Sequence, residues 1–169
     1  PSAAYSSVAS HSAIRYHLAS CARMGEAFEL FDISNAYLHA ELKKLHWCLI
    51  PKEWRTPSET GIRRLLKALY GRKESGRDWQ LLLRSWLEEQ EWKASPHADC
   101  SYRKPSSIPG RYLKLSIYVD DCVLSGPNPE EAQAERKKIL ERFPGRVIEP
   151  EKTQLTLRGE TVEAETWDV

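Results

Sequence analysis

The sequence from residue 112 to residue 126 reads YLKLSIYVDDCVLSG. Apolar residues occupy alternate positions as far as Val119, which predicts a half-buried strand with one apolar face. A second short apolar run follows Asp121, so the stretch predicts a hairpin with two adjacent carboxylates at its tip. The alternation directs Asp120 away from the apolar face. Adjacent carboxylates repel each other unless a cation or protons intervene, but Asp is also a common turn residue, so this stretch alone is compatible with a cation site and with a plain turn.

The composition is that of a globular protein. The chain has 169 residues, of which 41% are hydrophobic and 29% are charged, and its net charge is +1. This is enough for one domain with a sizeable core, and it excludes a disordered chain. Because the net charge is low, any nucleic-acid surface must be local. No apolar run reaches the roughly 18 residues that cross a bilayer, so no membrane association is expected.

The cysteines and the first residues bear on the cellular compartment. Cys21, Cys48, Cys100 and Cys122 form no Cys-x-x-Cys pair, and no signal peptide precedes them. We therefore expect reduced thiols and an intracellular location. His97 and Cys100 have half of a zinc spacing without a second half, and we interpret them as structural. The missing initiator Met indicates a fragment or a processed product.

Helical and strand patterns alternate irregularly along the chain, which predicts an α+β fold. The predicted elements are a helix over residues 7–23, a strand over 27–33, a tight turn into a short helix at 34–38, a strand over 45–50, a helix over about 77–92, the hairpin of 112–126, a helix from 128 to about 143, and one or two edge strands within 146–169. The helix over 77–92 carries an apolar stripe, which we interpret as core: Trp79, Leu82, Leu83, Trp86 and Leu87.

Capping residues define the predicted helix ends. Ser6 or Ser7 begins the first helix and Gly25 ends it. Asn128 caps the last helix, and Glu131 three residues later completes a capping pattern.

A second carboxylate closes an apolar strand. Residues 31–38 read FDISNAYL, and Asp32 stands near the end of the strand predicted over 27–33. If neighbouring strands of one sheet carry Asp32 and Asp120, their carboxylates meet at the rim of that sheet. Converging carboxylates bind Mg²⁺ together with substrate phosphates. Two such ions about 3.5–4 Å apart would clamp the attacking and leaving oxygens of a phosphoryl transfer.

Four motifs in this chain resemble those of reverse transcriptases. Residues 31–38 resemble their first palm motif, and Tyr118-Val119-Asp120-Asp121 resembles their Tyr-x-Asp-Asp box. Residues 69–79, LYGRKESGRDW, are similar to the middle motif of copia-type retrotransposons, and residues 95–102, SPHADCSY, fit their spacer. The motif order and spacing agree over about residues 7–143. The chain thus resembles the fingers and palm region of a copia-type reverse transcriptase within a Pol polyprotein.

The resemblance implies an architecture. It implies one partial domain over residues 1–169, with an N-terminal helix in 1–25, a palm core of about 26–143 and C-terminal edge strands in 144–169. The palm would be an antiparallel sheet packed on helices, with part of the fingers attached.

The resemblance also implies metal ligands. Asp32, Asp120 and Asp121 would be the catalytic carboxylates that hold two Mg²⁺ or Mn²⁺ ions, with Asp120 as the firmer ligand of the hairpin pair. The main-chain carbonyl of Ile33 would contact a metal as well. Tyr118 would contact the primer end.

Three further residues would meet the incoming nucleotide. Tyr37 occupies the position of the aromatic gate that excludes a 2′-hydroxyl, although without the family context it would be interpreted as a core aromatic. Lys73 and Arg77 lie where the middle motif approaches nucleotide and template, and the alternative for them is a solvated basic face.

The chain departs from the copia pattern at two places. Glu74-Ser75-Gly76 replaces Gln-Ala-Pro, which would loosen the turn and add negative charge near the triphosphate. His39-Ala40 replaces Asn-Gly. The basic finger strands, the thumb, the connection and the RNase H region are not found in these residues, so we expect primer–template binding to need further segments.

Three hypotheses of function follow. The first is an RNA-directed DNA polymerase that extends a primer with deoxynucleoside triphosphates on RNA or DNA. Its partners would be the other parts of Pol, namely fingers, thumb, RNase H and integrase, in a cytoplasmic virus-like particle or in the nucleus. The second is a retroelement remnant that acts as a non-catalytic structural or interaction domain. The third is an unrelated metal-dependent phosphotransferase.

Overall fold

The computed structural model describes residues 6–58, 60–157 and 160–166. Its elements, in chain order, are α1 (His11–Met24), β1 (Phe28–Ile33), a 3₁₀ turn (Ala36–His39), β2 (Glu41–Leu49), a second 3₁₀ turn (Lys52–Trp54), β3 (Ile62–Lys67), α2 (Ser75–Glu89), β4 (Lys93–Ala94), β5 (Ser101–Pro105), β6 (Tyr112–Tyr118), β7 (Asp121–Ser125), α3 (Pro129–Arg142), β8 (Gly145–Ile148), β9 (Glu151–Leu157) and β10 (Glu160–Thr166). Helices and antiparallel strands are mixed, which confirms the α+β class.

A six-stranded antiparallel sheet forms the centre of the molecule. Its strand order is β4-β5-β6-β7-β1-β8. The predicted hairpin is confirmed, since β6 pairs with β7 and Tyr118 lies opposite Asp121. On its other side β7 pairs with β1, with Asp32 opposite Asp121. The strands that carry the two carboxylate motifs are therefore neighbours, as the sequence analysis required.

One face of this sheet packs on α2 and α3. Leu113, Leu115 and Ile117 of β6 are buried in the main hydrophobic cluster, as their alternation predicts. Each fully buried side chain of this size contributes about 1.5–3 kcal/mol relative to exposure. The helices add their own apolar side chains to the same cluster: Trp79, Leu83 and Leu87 from α2, and Ala132 and Ile139 from α3.

The opposite face is covered by α1. Ser116 is buried although it lies on the polar side of β6, because the imidazole of His17 contacts it at 2.9 Å and contacts Ser125 at 2.8 Å. Lys114 on the same side pairs with the buried Glu26 at 2.6 Å. The polar alternation of β6 therefore indicates a polar interface with a helix, where the sequence analysis expected a strand with only one buried face.

The helix predictions hold in outline, but the start of the first helix and the end of the second are wrong. The first helix begins at His11, and the side-chain oxygen of its N-cap, Ser10, accepts a hydrogen bond from the amide of Ala13. The helix begins later than predicted because the preceding residues Ser7 and Ala9 bond to α2 and β6 instead. The end at Gly25 is confirmed by its φ of 64°. The second helix ends at Glu89, because Glu91 has a φ of 67°, which is incompatible with a continued α-helix. The chain reverses direction there, and Trp92 is buried.

The third helix begins as predicted, with Asn128 accepting from the amide of Glu130 and Pro129 at the first position. The capping role predicted for Glu131 is wrong. Its carboxylate accepts from the hydroxyl of Ser106 at 2.7 Å and from the amide of Ser107 at 3.0 Å. Glu131 thus links α3 to the loop between β5 and β6.

The C-terminal strands differ in their pairing from the prediction. The edge strand beside β1 is β8, which the sequence did not reveal. Strands β9 and β10 include most of the predicted stretches, but in the described residues they pair with each other as a separate two-stranded sheet. Arg158, the end of one predicted stretch, lies outside the described residues.

Strands β2 and β3 form a second separate ribbon, in which Leu49 lies opposite Ile62 and Trp47 opposite Arg64. The pairing and the alternation along each strand place four large apolar side chains on one side of this ribbon, and a fifth, Leu45, lies in the adjoining stretch where the register shifts. Each of the five is 52–69% exposed: Leu45, Trp47, Leu49, Ile62 and Leu66. We call this side the ribbon face.

None of the helices in the described parts of the chain has both the length and the hydropathy that a bilayer crossing requires.

Candidate active site

Three carboxylates converge where β1 ends and where the β6–β7 hairpin turns. One oxygen each from Asp32, Asp120 and Asp121 lies within 4.8 Å of the other two. Within the described ranges, no other set of three His, Cys, Asp or Glu residues meets this criterion, so His97 and Cys100 belong to none. Carboxylate oxygens are the preferred ligands of hard cations such as Mg²⁺ and Mn²⁺. The donor set therefore fits the divalent metal expected from the sequence.

The hairpin turn has an unusual backbone. The strand β6 ends at Tyr118, so Val119 and Asp120 are the two central residues of the turn. Val119, the first central residue, has a φ of 60°. Asp120, the second, has no positive φ, as in a type II′ turn. That position normally takes Gly, and a β-branched residue there is strained by roughly 1–3 kcal/mol. The sequence prediction that Val119 continues the strand is therefore wrong, because the chain reverses at this residue.

Contacts from two sides hold this strained turn. The indole nitrogen of Trp79 donates to the carbonyl oxygen of Val119 at 2.8 Å. The amide of Ile33 donates to the carbonyl oxygen of Asp120 at 3.0 Å. One contact comes from α2 and the other from β1, so the core helix and the strand of Asp32 both determine where Asp120 lies. The position of the carboxylates is thereby fixed before any ligand binds.

The pKa values of Asp120 and Asp121 are both raised. Partial burial and the nearby charge of Asp32 raise the pKa of Asp120 above its ordinary value. Burial, followed by the charges of Asp120 and Asp32, raises the pKa of Asp121, and Arg146 partly opposes this. Like charges at such short range destabilise the ionised state unless a cation is present. A bound cation would relieve this repulsion.

Arg146 is a cation that the sequence analysis missed. It lies opposite Asp32 in the pairing of β8 with β1, and its Nε is 3.7 Å from a carboxylate oxygen of Asp32. The side chain is 78% exposed, so water screens the pair strongly. Gly145 allows β8 to approach, because a Cβ at this residue would collide with the carbonyl oxygen of Asp32. Without the pairing of β8, the sequence holds no signal for Arg146.

Most of this chain is similar in sequence to one known protein family. Residues 2–157 match the family model described as reverse transcriptase (RNA-dependent DNA polymerase). The chain belongs to this reverse transcriptase family.

The curated relatives are retrotransposon polyproteins. The chain is 27% identical over 123 residues to the retrovirus-related Pol polyprotein from transposon TNT 1-94 of Nicotiana tabacum, an alignment that covers 72% of this chain and 9% of that protein. It is 30% identical over 116 residues to the transposon Ty1-DR4 Gag-Pol polyprotein of Saccharomyces cerevisiae, which covers 66% of this chain and 6% of that protein. The chain thus spans less than a tenth of the length of these relatives. No solved structure gives a significant match.

These comparisons confirm the predicted resemblance to the Pol polyproteins of copia-type retrotransposons. The middle motif of this reverse transcriptase domain forms the loop between β3 and α2. Arg72 pairs with Asp78 at 2.7 Å and with Glu74 at 3.5 Å, and its guanidinium is 3.2 Å from His46. The hydroxyl of the buried Ser75 donates to the carbonyl oxygen of Leu69 at 2.6 Å. These contacts hold the turn that the loss of Pro was expected to loosen, and Arg72 faces the negative charge that Glu74 adds.

The replacement of Asn-Gly by His39-Ala40 is also accommodated. The imidazole of His39 packs against Trp79 and Phe143, with ring centroids 5.8 and 5.5 Å away, and contacts the carbonyl oxygen of Ser34 at 3.1 Å. Ala40 is buried and accepts from the amide of Ala68 at 2.8 Å.

Tyr37 lies in the 3₁₀ turn directly after the strand of Asp32. Its ring contacts Tyr70, with centroids 4.5 Å apart and an interplanar angle of 41°. It also borders a cavity of about 170 Å³ whose wall includes Gly76 and Val119. Tyr37 is therefore half-buried, between the carboxylate turn and the middle-motif loop, and it is not a fully enclosed core residue.

The remaining residues implied by the resemblance lie around this centre. Lys73 and Arg77 are exposed, in the middle-motif loop and the first turn of α2. Tyr118 is 39% exposed and packs edge-on against His11. Ile33 is fully buried. Their contacts with metal, nucleotide or primer stay predictions.

Proposed function

We propose that this chain is the catalytic part of an RNA-directed DNA polymerase, which adds deoxynucleotides to a primer 3′-end on an RNA or DNA template. The single observation that carries the proposal is the convergence of Asp32, Asp120 and Asp121 within 4.8 Å in a chain of the reverse transcriptase family. Carboxylates that repel one another at this range are stabilised by a bound cation. The comparisons give the kind of enzyme, and the geometry supports the mechanism.

In this proposal Asp32 and Asp120 are the principal ligands, Asp121 supports them, and the carbonyl of Ile33 completes the site. Two Mg²⁺ or Mn²⁺ ions, when bound, would supply activation of the primer 3′-oxygen and neutralisation of the triphosphate. The protein itself positions these ligands. Trp79 and Ile33 hold the turn of Asp120 in place, so the ligands need little rearrangement when the substrates arrive.

The substrate side follows the same arrangement. Tyr37 would lie under the sugar of the incoming nucleotide and exclude a 2′-hydroxyl. Lys73 and Arg77 would approach the triphosphate and the template, and Tyr118 would contact the primer end. Exposure of these last three side chains supports such contacts, because each can reach a ligand without unfolding its element.

The wider setting is also part of the proposal. The relatives are Pol polyproteins, so we expect the fingers, thumb, RNase H and integrase segments of such a polyprotein as partners. We expect an intracellular location, in a cytoplasmic virus-like particle or in the nucleus. A primer–template duplex is the nucleic-acid substrate.

Primer extension tests the proposal. Because primer–template binding is expected to need further segments, the chain is assayed joined to the fingers and thumb segments of its polyprotein. It is incubated with an RNA template, a DNA primer and deoxynucleotides in Mg²⁺ or Mn²⁺, beside Asp120→Asn and the control Asp99→Asn. Asp99 is an exposed carboxylate outside the cluster. We expect extension by the parent and by Asp99→Asn and none by Asp120→Asn. Equal extension by Asp120→Asn would refute the assigned role of this carboxylate.

A second candidate is a retroelement remnant that serves as a non-catalytic interaction domain. The ribbon face favours it, because five large apolar side chains on one small ribbon are unusual on the surface of a protein that works alone. A Mn²⁺ titration separates the two candidates. A polymerase site binds Mn²⁺ in the parent and loses this binding in Asp120→Asn, whereas the remnant shows no binding that depends on Asp120.

A further inference from the structure

Tyr70 belongs neither to the buried core nor to the carboxylate ligands. It follows β3, directly before Gly71, and it is 50% exposed. Its ring is 4.5 Å from that of Tyr37. Burial and then the charge of Asp120, the phenol of Tyr37 and the charge of Asp32 raise the pKa of Tyr70. The phenol therefore lies within electrostatic reach of the carboxylate cluster as well as against Tyr37.

Tyr37 needs support from a neighbour if its ring is to hold one position. Part of its surface borders a cavity of about 170 Å³, which is larger than a benzene-sized void. Packing alone therefore does not prevent the ring from moving away from the carboxylates. The ring that contacts it from outside this cavity is Tyr70.

The segment that carries Tyr70 is itself well anchored. On one side the amide of Ala68 donates to the carbonyl oxygen of Ala40 at 2.8 Å, next to the 3₁₀ turn of Tyr37. On the other side Ser75 donates to the carbonyl oxygen of Leu69 at 2.6 Å. These bonds tie Tyr70 to the turn of Tyr37 and to the start of α2, so its ring is presented from a rigid loop.

We propose that Tyr70 is a positioning residue that holds the ring of Tyr37 against the nucleotide site and so determines how strongly the site discriminates deoxyribose from ribose. The inference rests on the proposed polymerase function. A gating side chain excludes a 2′-hydroxyl only when the position of its ring is fixed. Without Tyr70, the ring of Tyr37 can turn toward the cavity, and ribonucleotides are admitted.

Single-nucleotide incorporation measures this discrimination. For the parent, Tyr70→Ala and Tyr70→Phe, the kcat/KM of a deoxynucleotide is divided by that of the matching ribonucleotide on one primer–template. We expect Tyr70→Ala to lower this ratio by about 3- to 10-fold, the range that an aromatic pair supports. Tyr70→Phe keeps the ring and should keep the ratio. The control is Tyr112→Ala, which removes a tyrosine of similar exposure from β6. A ratio within twofold of the parent in Tyr70→Ala overturns the proposal.

A second readout needs no catalysis. The chain is labelled with fluorotyrosine, the ¹⁹F signal of Tyr37 is assigned with Tyr37→Phe, and its shift between H₂O and D₂O reports exposure of the ring. We expect a larger solvent shift in Tyr70→Ala than in the parent, and no change in Tyr112→Ala. An unchanged Tyr37 signal in Tyr70→Ala overturns the positioning role. If the parent, joined to its fingers and thumb segments, incorporates no nucleotide while this signal responds, the polymerase function fails and the contact between the rings stands.

Discussion

The indole nitrogen of Trp79 donates a hydrogen bond of 2.8 Å to the carbonyl oxygen of Val119. This bond joins the buried face of α2 to the strained residue that precedes Asp120 and Asp121. A type II′ turn with Val at its first central position is held only if its surroundings stabilise it. Trp79 is thus both a core residue and a support of the carboxylate site.

Replacement of Trp79 by Phe tests this support. We expect Trp79→Phe to lower the free energy of unfolding by about 1–3 kcal/mol, because one buried hydrogen bond and part of the ring packing are lost. We also expect weaker Mn²⁺ binding, because the turn is less restrained. Urea unfolding and a Mn²⁺ titration measure the two effects. Trp92→Phe is the matched control, since it removes the indole bond to Glu135 at 3.2 Å and should leave Mn²⁺ binding unchanged. A parallel loss of Mn²⁺ affinity in Trp92→Phe would contradict the specific role of Trp79.

The carboxylate cluster should reduce the stability of the metal-free protein. Asp32 and Asp121 lie directly opposite each other across β1 and β7, and like charges in such a pair destabilise a sheet by about 0.2–1 kcal/mol. Asp121→Asn should therefore raise the melting temperature in the absence of divalent metal. Addition of Mg²⁺ should then stabilise the parent more than the variant. The control Asp99→Asn should show neither effect, and a variant that melts below the metal-free parent would argue against electrostatic repulsion here.

His17 predicts how stability depends on pH. Burial, followed by the charge of Lys114, lowers its pKa to about 4, while Glu26 opposes this. Because the folded pKa is below the unfolded value of about 6.5, the unfolded chain binds more protons between pH 6.5 and 4. His17 should therefore lower the free energy of unfolding by about 3 kcal/mol as the pH falls through this window. The raised pKa values of Asp120 and Asp121 act in the opposite direction and offset part of this decrease.

Urea unfolding at several pH values checks this prediction, and the slope between pH 6.5 and 4 is the quantity to compare. His17→Gln cannot be protonated and should show a smaller slope, whatever its absolute stability. Glu26 and Glu135 have lowered pKa values and lose their stabilising effect only below about pH 4.5, so they act mainly below this window. Equal slopes in parent and variant would show that His17 is not the titrating group.

The ribbon face should contribute little to folding. Trp47 and Leu49 are 62% and 69% exposed, so Trp47→Thr and Leu49→Thr should change the free energy of unfolding by less than about 0.5 kcal/mol. Leu87→Ala, at a fully buried residue of α2, should lower it by about 2–5 kcal/mol. The two ribbon variants should also bind less of a hydrophobic dye. A loss of stability from Trp47→Thr comparable to that from Leu87→Ala would mean that the ribbon face is packed in solution.

Parts of the site were accessible to sequence reasoning, and parts were not. Local alternation located Asp32, Asp120 and Asp121 at the ends of apolar strands, and the resemblance of their motifs to those of reverse transcriptases implied their role. Trp79 was identified only as a core residue, because the helical periodicity that predicts a buried ring does not predict the direction of its N–H. Tyr70 lies in the middle motif, but nothing in that motif indicated its contact with Tyr37. Arg146 gave no local signal, since it meets Asp32 only through the pairing of β8 with β1.

The sequence by itself determined the α+β class, the hairpin that carries Asp120 and Asp121, the capping of α3 by Asn128, and the membership of the reverse transcriptase family. These features depend on periodicity, on capping chemistry and on motifs, all of which act over a few residues. Only the tertiary structure decided that β7 lies beside β1, that β8 brings Arg146 to Asp32, and that α1 covers the polar side of β6. It also decided that Val119 leaves the strand, because the Trp79 and Ile33 bonds stabilise a backbone that Val does not prefer. Strand order and side-chain contacts depend on the sum of many distant interactions, and no local pattern contains that sum.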